Sequence, residues 1–208
     1  MSSEPHTGAA DGNVVGNYYD KYGTKNPIAR ALMRGFLGNV AELYASVRAK
    51  SVLEVGCGEG HLAQHLLHSA PRPQRFVASD IEVDHLSPAI DRSIEVVQAS
   101  IYELPFATDS FELVVCCEVL EHLDDPAAGL AELARVAARR VLISTPWDPV
   151  WRALNMARGR YLTALGNTPG HIQHFTRRGL EKLARTQLRV LERRTPLPWT
   201  VLLGEPLR

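Results

Sequence analysis

An α/β fold built on a doubly wound, largely parallel sheet with helices on both faces is predicted by three features of the 208-residue chain. Short apolar runs alternate with segments of helical period for most of its length, the order expected of right-handed β-α-β units. Residues 51–67, SVLEVGCGEGHLAQHLL, pass from an apolar run to a helical face through a turn holding Gly56, Gly58 and Gly60. The chain ends in two β-like runs, residues 189–193 and 199–203, separated by Pro196 and Pro198, which predicts a terminal antiparallel pair.

Residues 1–13 are small, polar and unpatterned and are expected to form a disordered tail, leaving 14–208 as a single domain. Asn26 and Pro27 read as an N-cap and first helical residue, and Ile28, Leu32, Phe36, Val40, Leu43, Tyr44 and Val47 follow at helical spacing. Val52, Leu53 and Val55 suit a buried strand, and Leu62, Ala63, Leu66, Leu67 and Ala70 share one face of the helix after it. Residues 75–80, 94–98 and 113–117 read as the second, third and fourth strands, 127–139 as a helix and 141–145 as the fifth strand. The stretch 147–170 exceeds an ordinary strand-to-helix link, and loops of that size usually serve function. Thr176 reads as the N-cap of a last helix that turns Leu180 and Leu183 inward.

Zero formal net charge argues against a surface for nucleic-acid phosphates. No apolar stretch approaches the roughly 20 residues that span a bilayer, and no basic-then-apolar leader opens the chain. Cys57, Cys116 and Cys117 lack C-x-x-C spacing, and the adjacent pair would close a strained ring; reduced thiols and a cytoplasmic location are expected. Oligomeric state is not legible in the sequence.

A glycine turn after a strand also opens dinucleotide-binding folds, but their G-x-G-x-x-G spacing would need glycine where His61 stands. Glu54, two residues before the first glycine, would repel a pyrophosphate and suits an ammonium. Asp80 closes the second strand a little over twenty residues on, where a carboxylate accepts from two ribose hydroxyls. The pattern E-x-G-x-G-x-G, together with LPF at 104–106 and the run CCEVLEHL at 116–123, resembles class I S-adenosylmethionine-dependent methyltransferases, of the group found in quinone and natural-product biosynthesis. The resemblance is densest over residues 50–146.

That resemblance implies a Rossmann-like seven-stranded sheet of order 3-2-1-4-5-7-6 and S-adenosyl-L-methionine as cofactor. It implies a cofactor-binding set of Glu54, Gly56, Cys57, Gly58, Gly60, Asp80, Ile81, Ser100, Ile101 and Cys117, with Ile81 on the adenine. Loop amides and the helix start are expected to receive the cofactor's amino-acid end. The family usually carries aspartate where this chain has Ser100, a shorter and uncharged acceptor. The segment 14–49 is expected to supply a lid, Tyr22 closing over the cofactor and Tyr18 meeting the acceptor, with stapling of the following helix to the core as the competing role of these tyrosines.

A small-molecule acceptor is expected to contact Trp147, Trp151, Arg158 and Arg160 of the 147–170 insertion. Displacement at a methyl carbon needs alignment above all, and a base only for a protonated acceptor. His122, His171 and His174 are the candidates, with a structural turn as the competing role of the last two. In the family this chain resembles, an Asp/Asn-Pro-Pro-aromatic tetrapeptide marks many enzymes that methylate amines; its absence here, with the available histidines, leads to an expectation of O-methylation in secondary-metabolite, quinone, sugar or lipid biosynthesis. A nucleotide-dependent oxidoreductase and a non-catalytic binder of the same cofactor are the other classes. Neither His171-x-x-His174 nor His61, His65 and His68 includes a third ligand type at diagnostic spacing, so no metal is predicted.

Overall fold

The computed structural model describes residues 26–84, 91, 93–159 and 161–208. Seven strands form one sheet in the order β3-β2-β1-β4-β5-β7-β6. They are β1 (Ser51–Val55), β2 (Arg75–Asp80), β3 (Glu95–Gln98), β4 (Phe111–Cys117), β5 (Ala137–Pro146), β6 (Leu188–Arg194) and β7 (Trp199–Pro206). The first five run parallel, and β7 lies antiparallel between β5 and β6. Sheet order and strand directions match the expectation.

Helices α1 (Pro27–Val47), α2 (His61–Ser69), α3 (Pro126–Val136), α4 (Asp148–Ala157) and α5 (Arg177–Ala184) complete the fold. Successive strand residues serve opposite faces, as the pleat requires. Val52, Val115, Leu142 and Val201 pack with Phe36, Val40 and Leu66 of α1 and α2 on one side. Leu53, Val114, Ile143 and Leu202 pack with Leu130, Leu133 and Leu180 of α3 and α5 on the other. Two cores therefore clamp one sheet.

Helix starts follow their capping residues. Asn26 Oδ1 accepts from the amides of Ile28 and Ala29, Asp125 Oδ1 from those of Ala127 and Ala128, and Thr176 Oγ1 from that of Gly179. Prolines at positions 27 and 126 occupy first-turn sites where a missing N–H costs nothing. One boundary departs from the sequence expectation: α3 stops at Val136, and residues 137–139 are already strand. Alanine and arginine suit a helix, but Ala137 pairs with Phe111 across a bulge, and burial at the sheet overrides local propensity. Among the described residues, no helix is long and apolar enough to cross a membrane.

Candidate active site

Strand order reverses direction at the β1–β4 junction, and in open α/β sheets ligands bind beyond the carboxyl ends of the strands there. A cavity of about 1080 Å³ occupies that place. Ligand pockets span roughly 300–1,000 Å³, so this volume is at the large end of that range.

The floor is the turn after β1. Gly56, Gly58 and Gly60 all have positive φ, 77°, 50° and 81°. A Cβ on Gly56 would stand 2.2 Å from Val119 Cγ2, so two loops meet there in a space that admits only glycine. The turn is held from below: the amides of Gly56 and Cys57 donate to the Ser79 carbonyl at 2.8 and 3.0 Å, and that of Gly60 to Cys57. The Gly58 amide donates to Asp80 Oδ2 at 2.7 Å. These four loop amides are thus engaged within the protein, whereas the sequence expectation gave loop amides to the ligand's amino-acid end.

Glu54 is 1% exposed and lines the cavity, and among the described residues its Oε2 has no hydrogen-bond partner. Burial first, and the neighbouring Asp80 charge second, push its carboxyl up to about 8. An unpartnered, desolvated acid is the environment an ammonium group relieves. Asp80 lies at the end of β2 on the same wall, its second oxygen accepting from the Glu82 amide at 3.2 Å. Ile81 is 45% exposed beside it and offers an apolar face. Ser100, Ile101, Cys57 and Cys117 also line the cavity, and Ser100 Oγ accepts from the Tyr102 amide.

The far end is aromatic. Phe36 of α1 meets Trp199 at 4.8 Å between ring centroids, Trp199 meets Trp151 at 5.7 Å, and Trp151 stacks on His171 at 6.2 Å. His122 stands edge-on to His171 at 4.9 Å. Trp151 Nε1 and Asn155 Nδ2 both donate to Thr168 Oγ1, tying the insertion to its own helix. Gly166 lies so close to α4 that a Cβ would meet the Arg152 carbonyl oxygen at 2.3 Å.

Trp151, Arg158, His122 and His171 line the cavity, as do the expected cofactor residues among those described except Gly60, which does not reach the lining. Arg158 also reaches back to Leu154 and Asn155, capping α4. Trp147 is a correction: its ring lies beneath the Arg177 guanidinium, 3.7 Å from its carbon, and does not line the cavity. His174 is another: its Nδ1 pairs with Asp148 Oδ1 at 3.1 Å at the start of α4, outside the lining. Tyr18, Tyr22 and Arg160 lie outside the described residues.

Sequence reasoning missed Leu32, Met33, Phe36 and Trp199 as cavity walls, since helical and strand spacing mark them only as core. It also passed over Glu118. That residue has φ 62°, rare away from glycine, and its carboxylate accepts from Trp199 Nε1 at 2.7 Å and Ser144 Oγ at 3.3 Å. An acid at the end of a strand in left-handed conformation was the available signal.

Residues 53–143 match the family described as methyltransferase domain. The resemblance carried by Glu54, the glycines and the EVLEHL run therefore holds across the half of the sheet that builds the cavity floor. Among curated relatives, a probable S-adenosylmethionine-dependent methyltransferase of Mycobacterium tuberculosis is 37% identical over 100 residues, 47% of this chain and 36% of that protein. A ubiquinone biosynthesis O-methyltransferase of Hahella chejuensis is 38% identical over 100 residues, 45% of this chain and 41% of its own. The match thus spans about two fifths of those relatives' length. In fold, magnesium protoporphyrin IX methyltransferase from Synechocystis PCC 6803, solved with bound S-adenosylhomocysteine, superposes with a TM-score of 0.63 at 18% identity, over 91% of this chain and 90% of that chain.

Proposed function

We propose that the protein transfers a methyl group from S-adenosyl-L-methionine to a hydroxyl of a small, largely apolar acceptor. The observation that carries the first half is Glu54, a cavity-lining residue whose buried Oε2 has no hydrogen-bond partner among the described residues. It fits the ammonium of the cofactor, Asp80 fits the ribose diol, and Ile81 fits the adenine face. Cys57, Ser100, Ile101 and Cys117 form the wall between them. When bound, the cofactor supplies an electrophilic methyl on a sulfonium.

The chain's own residues do the rest by placement. Leu32, Met33, Phe36, Trp151 and Trp199 enclose the opposite end of the cavity and keep water from it. The contiguous rings of Phe36, Trp199 and Trp151 favour an acceptor with an aromatic or planar apolar body. His122 and His171 stand at this same end and are the groups placed to manage an acceptor hydroxyl proton. Arg158 lies at the cavity edge, where an anionic substituent would meet it.

The test is turnover. Purified protein, S-adenosylmethionine and a panel of phenols, catechols and hydroxyquinones should release S-adenosylhomocysteine with at least one hydroxylated member and leave its O-methylated analogue unreacted. Release only with amine or thiol acceptors would reject the hydroxyl assignment.

A further inference from the structure

We propose that Thr168 is a binding residue for the acceptor, its hydroxyl donating a hydrogen bond to a carbonyl oxygen carried on the acceptor's planar body. The inference rests on the methyltransferase reading for the ligand's identity as acceptor. Thr168 lies between α4 and α5 and lines the cavity together with Trp151, Asn155 and His171. Its carbonyl accepts from the His171 amide at 3.1 Å, so the two residues share one turn. A lone threonine in a loop has no period or motif to single it out in the sequence.

Hydrogen-bond capacity decides its role. A threonine hydroxyl has two lone pairs and one hydrogen. Trp151 Nε1, which only donates, stands 2.9 Å from Thr168 Oγ1 and engages one lone pair. Asn155 Nδ2 stands 3.2 Å from the same oxygen and engages the other. The orientation of that amide is dictated at both of its ends. Its Nδ2 also faces the Gly166 carbonyl at 2.9 Å, which only accepts, and its Oδ1 faces Arg158 Nη2, which only donates. Asn155 is 2% exposed, so solvent offers it no alternative. With both lone pairs engaged, the Thr168 hydroxyl can donate but not accept. Among the described residues no protein atom takes its hydrogen.

The partner for that hydrogen is a lone-pair atom of the molecule that fills the cavity. The rings of Phe36, Trp199 and Trp151 call for a flat apolar body, and on such a body a conjugated carbonyl oxygen offers lone pairs in the ring plane. A second hydroxyl there would bring a hydrogen needing an acceptor of its own, and an aryl amine would bring two. Trp151 both fixes Thr168 and stacks on His171, so an acceptor anchored at Thr168 lies along the wall that carries the histidine. The acceptor class is therefore a hydroxyaryl carbonyl compound.

Calorimetry on the full-length protein, with and without saturating S-adenosylhomocysteine, tests this with the positional isomers of hydroxyacetophenone and the matching ethylphenols, in which two hydrogens replace the carbonyl oxygen. At least one ketone should bind about five- to tenfold more tightly than its ethyl partner. No preference in wild type, whether both bind alike or neither binds, overturns the proposal. Thr168→Val should abolish the ratio, and Thr168→Ser, which keeps the hydroxyl, should retain it. A merely structural threonine would lower both affinities alike on Thr168→Val and leave the ratio intact, which also overturns the proposal. S-adenosylhomocysteine affinity of each variant reports that the fold is kept. The two readings fail separately: ketone preference without S-adenosylhomocysteine binding sinks the methyltransferase reading and leaves the Thr168 contact standing.

Discussion

Glu54 gives the molecule a pH dependence that works in opposite senses with and without ligand. Its carboxyl ordinarily titrates near 4.5 and is pushed up to about 8 in the fold, so the free protein holds its proton at neutrality. Between those values the folded state binds more protons than the unfolded chain, and stability falls as pH rises. Glu54→Gln should therefore melt higher than wild type at pH 8 without ligand. The difference should shrink toward pH 5. A bound ammonium reverses the preference and expels the proton, so wild-type affinity for S-adenosylhomocysteine should climb between pH 6 and 8 by up to about tenfold per unit. It should level off above about pH 8, where Glu54 of the free protein is itself ionised and no proton remains to be expelled. Calorimetry across that range checks both limbs, since Glu54→Gln should show a flat profile; an identical slope in the variant would remove Glu54 from ligand contact. Tyr44 shares this neighbourhood, pushed up to about 12 by burial and then by the Glu54 charge, and stays neutral throughout.

The turn between β1 and α2 shows what a short element contributes. Its three glycines adopt conformations that other residues pay strain to enter, yet they differ in surroundings. Gly58 has nothing within 4 Å of an added Cβ, whereas Gly56 faces Val119. Gly56→Ala should then lose about 1–2 kcal/mol from its backbone alone, with a further loss from the collision. Val119→Ala in the same chain should recover the collision part but not the backbone part, a coupling that chemical denaturation of the four-member cycle measures. Additive losses would show that the loops separate freely. This element was legible in sequence because glycine spacing, Glu54 and Asp80 each have a local chemical reason. The insertion was legible only as a length. Which of its residues face the cavity depends on Thr168 and Gly166 docking on α4, contacts that no periodicity encodes. Trp147 and His174 were misplaced for that reason: neighbours in sequence to cavity residues, they are drawn away by Arg177 and Asp148.

Across the whole molecule, the sheet brings residues from distant parts of the chain to one cavity. Strands β1, β2 and β4 deliver Glu54, Asp80 and Cys117 at their carboxyl ends, and α1 and β7 close the other side with Phe36 and Trp199. Sheet order followed from alternating strand and helix patterns plus the terminal pair, which are properties of the chain read locally. The union of Phe36, Trp151, Trp199 and His171 into one wall followed from none of them, because it arises only once β7 inserts beside β5. Two readings of the glycine turn began from the same residues, a dinucleotide site and a sulfonium-cofactor site. Direct calorimetric titration of the purified chain with S-adenosylhomocysteine and with NAD separates them. One equivalent of S-adenosylhomocysteine should bind, Asp80→Ala should weaken it about ten- to a hundredfold through lost hydrogen bonds to a charged acceptor, and NAD should give no heat. Saturable binding of NAD together with indifference to S-adenosylhomocysteine would contradict the account.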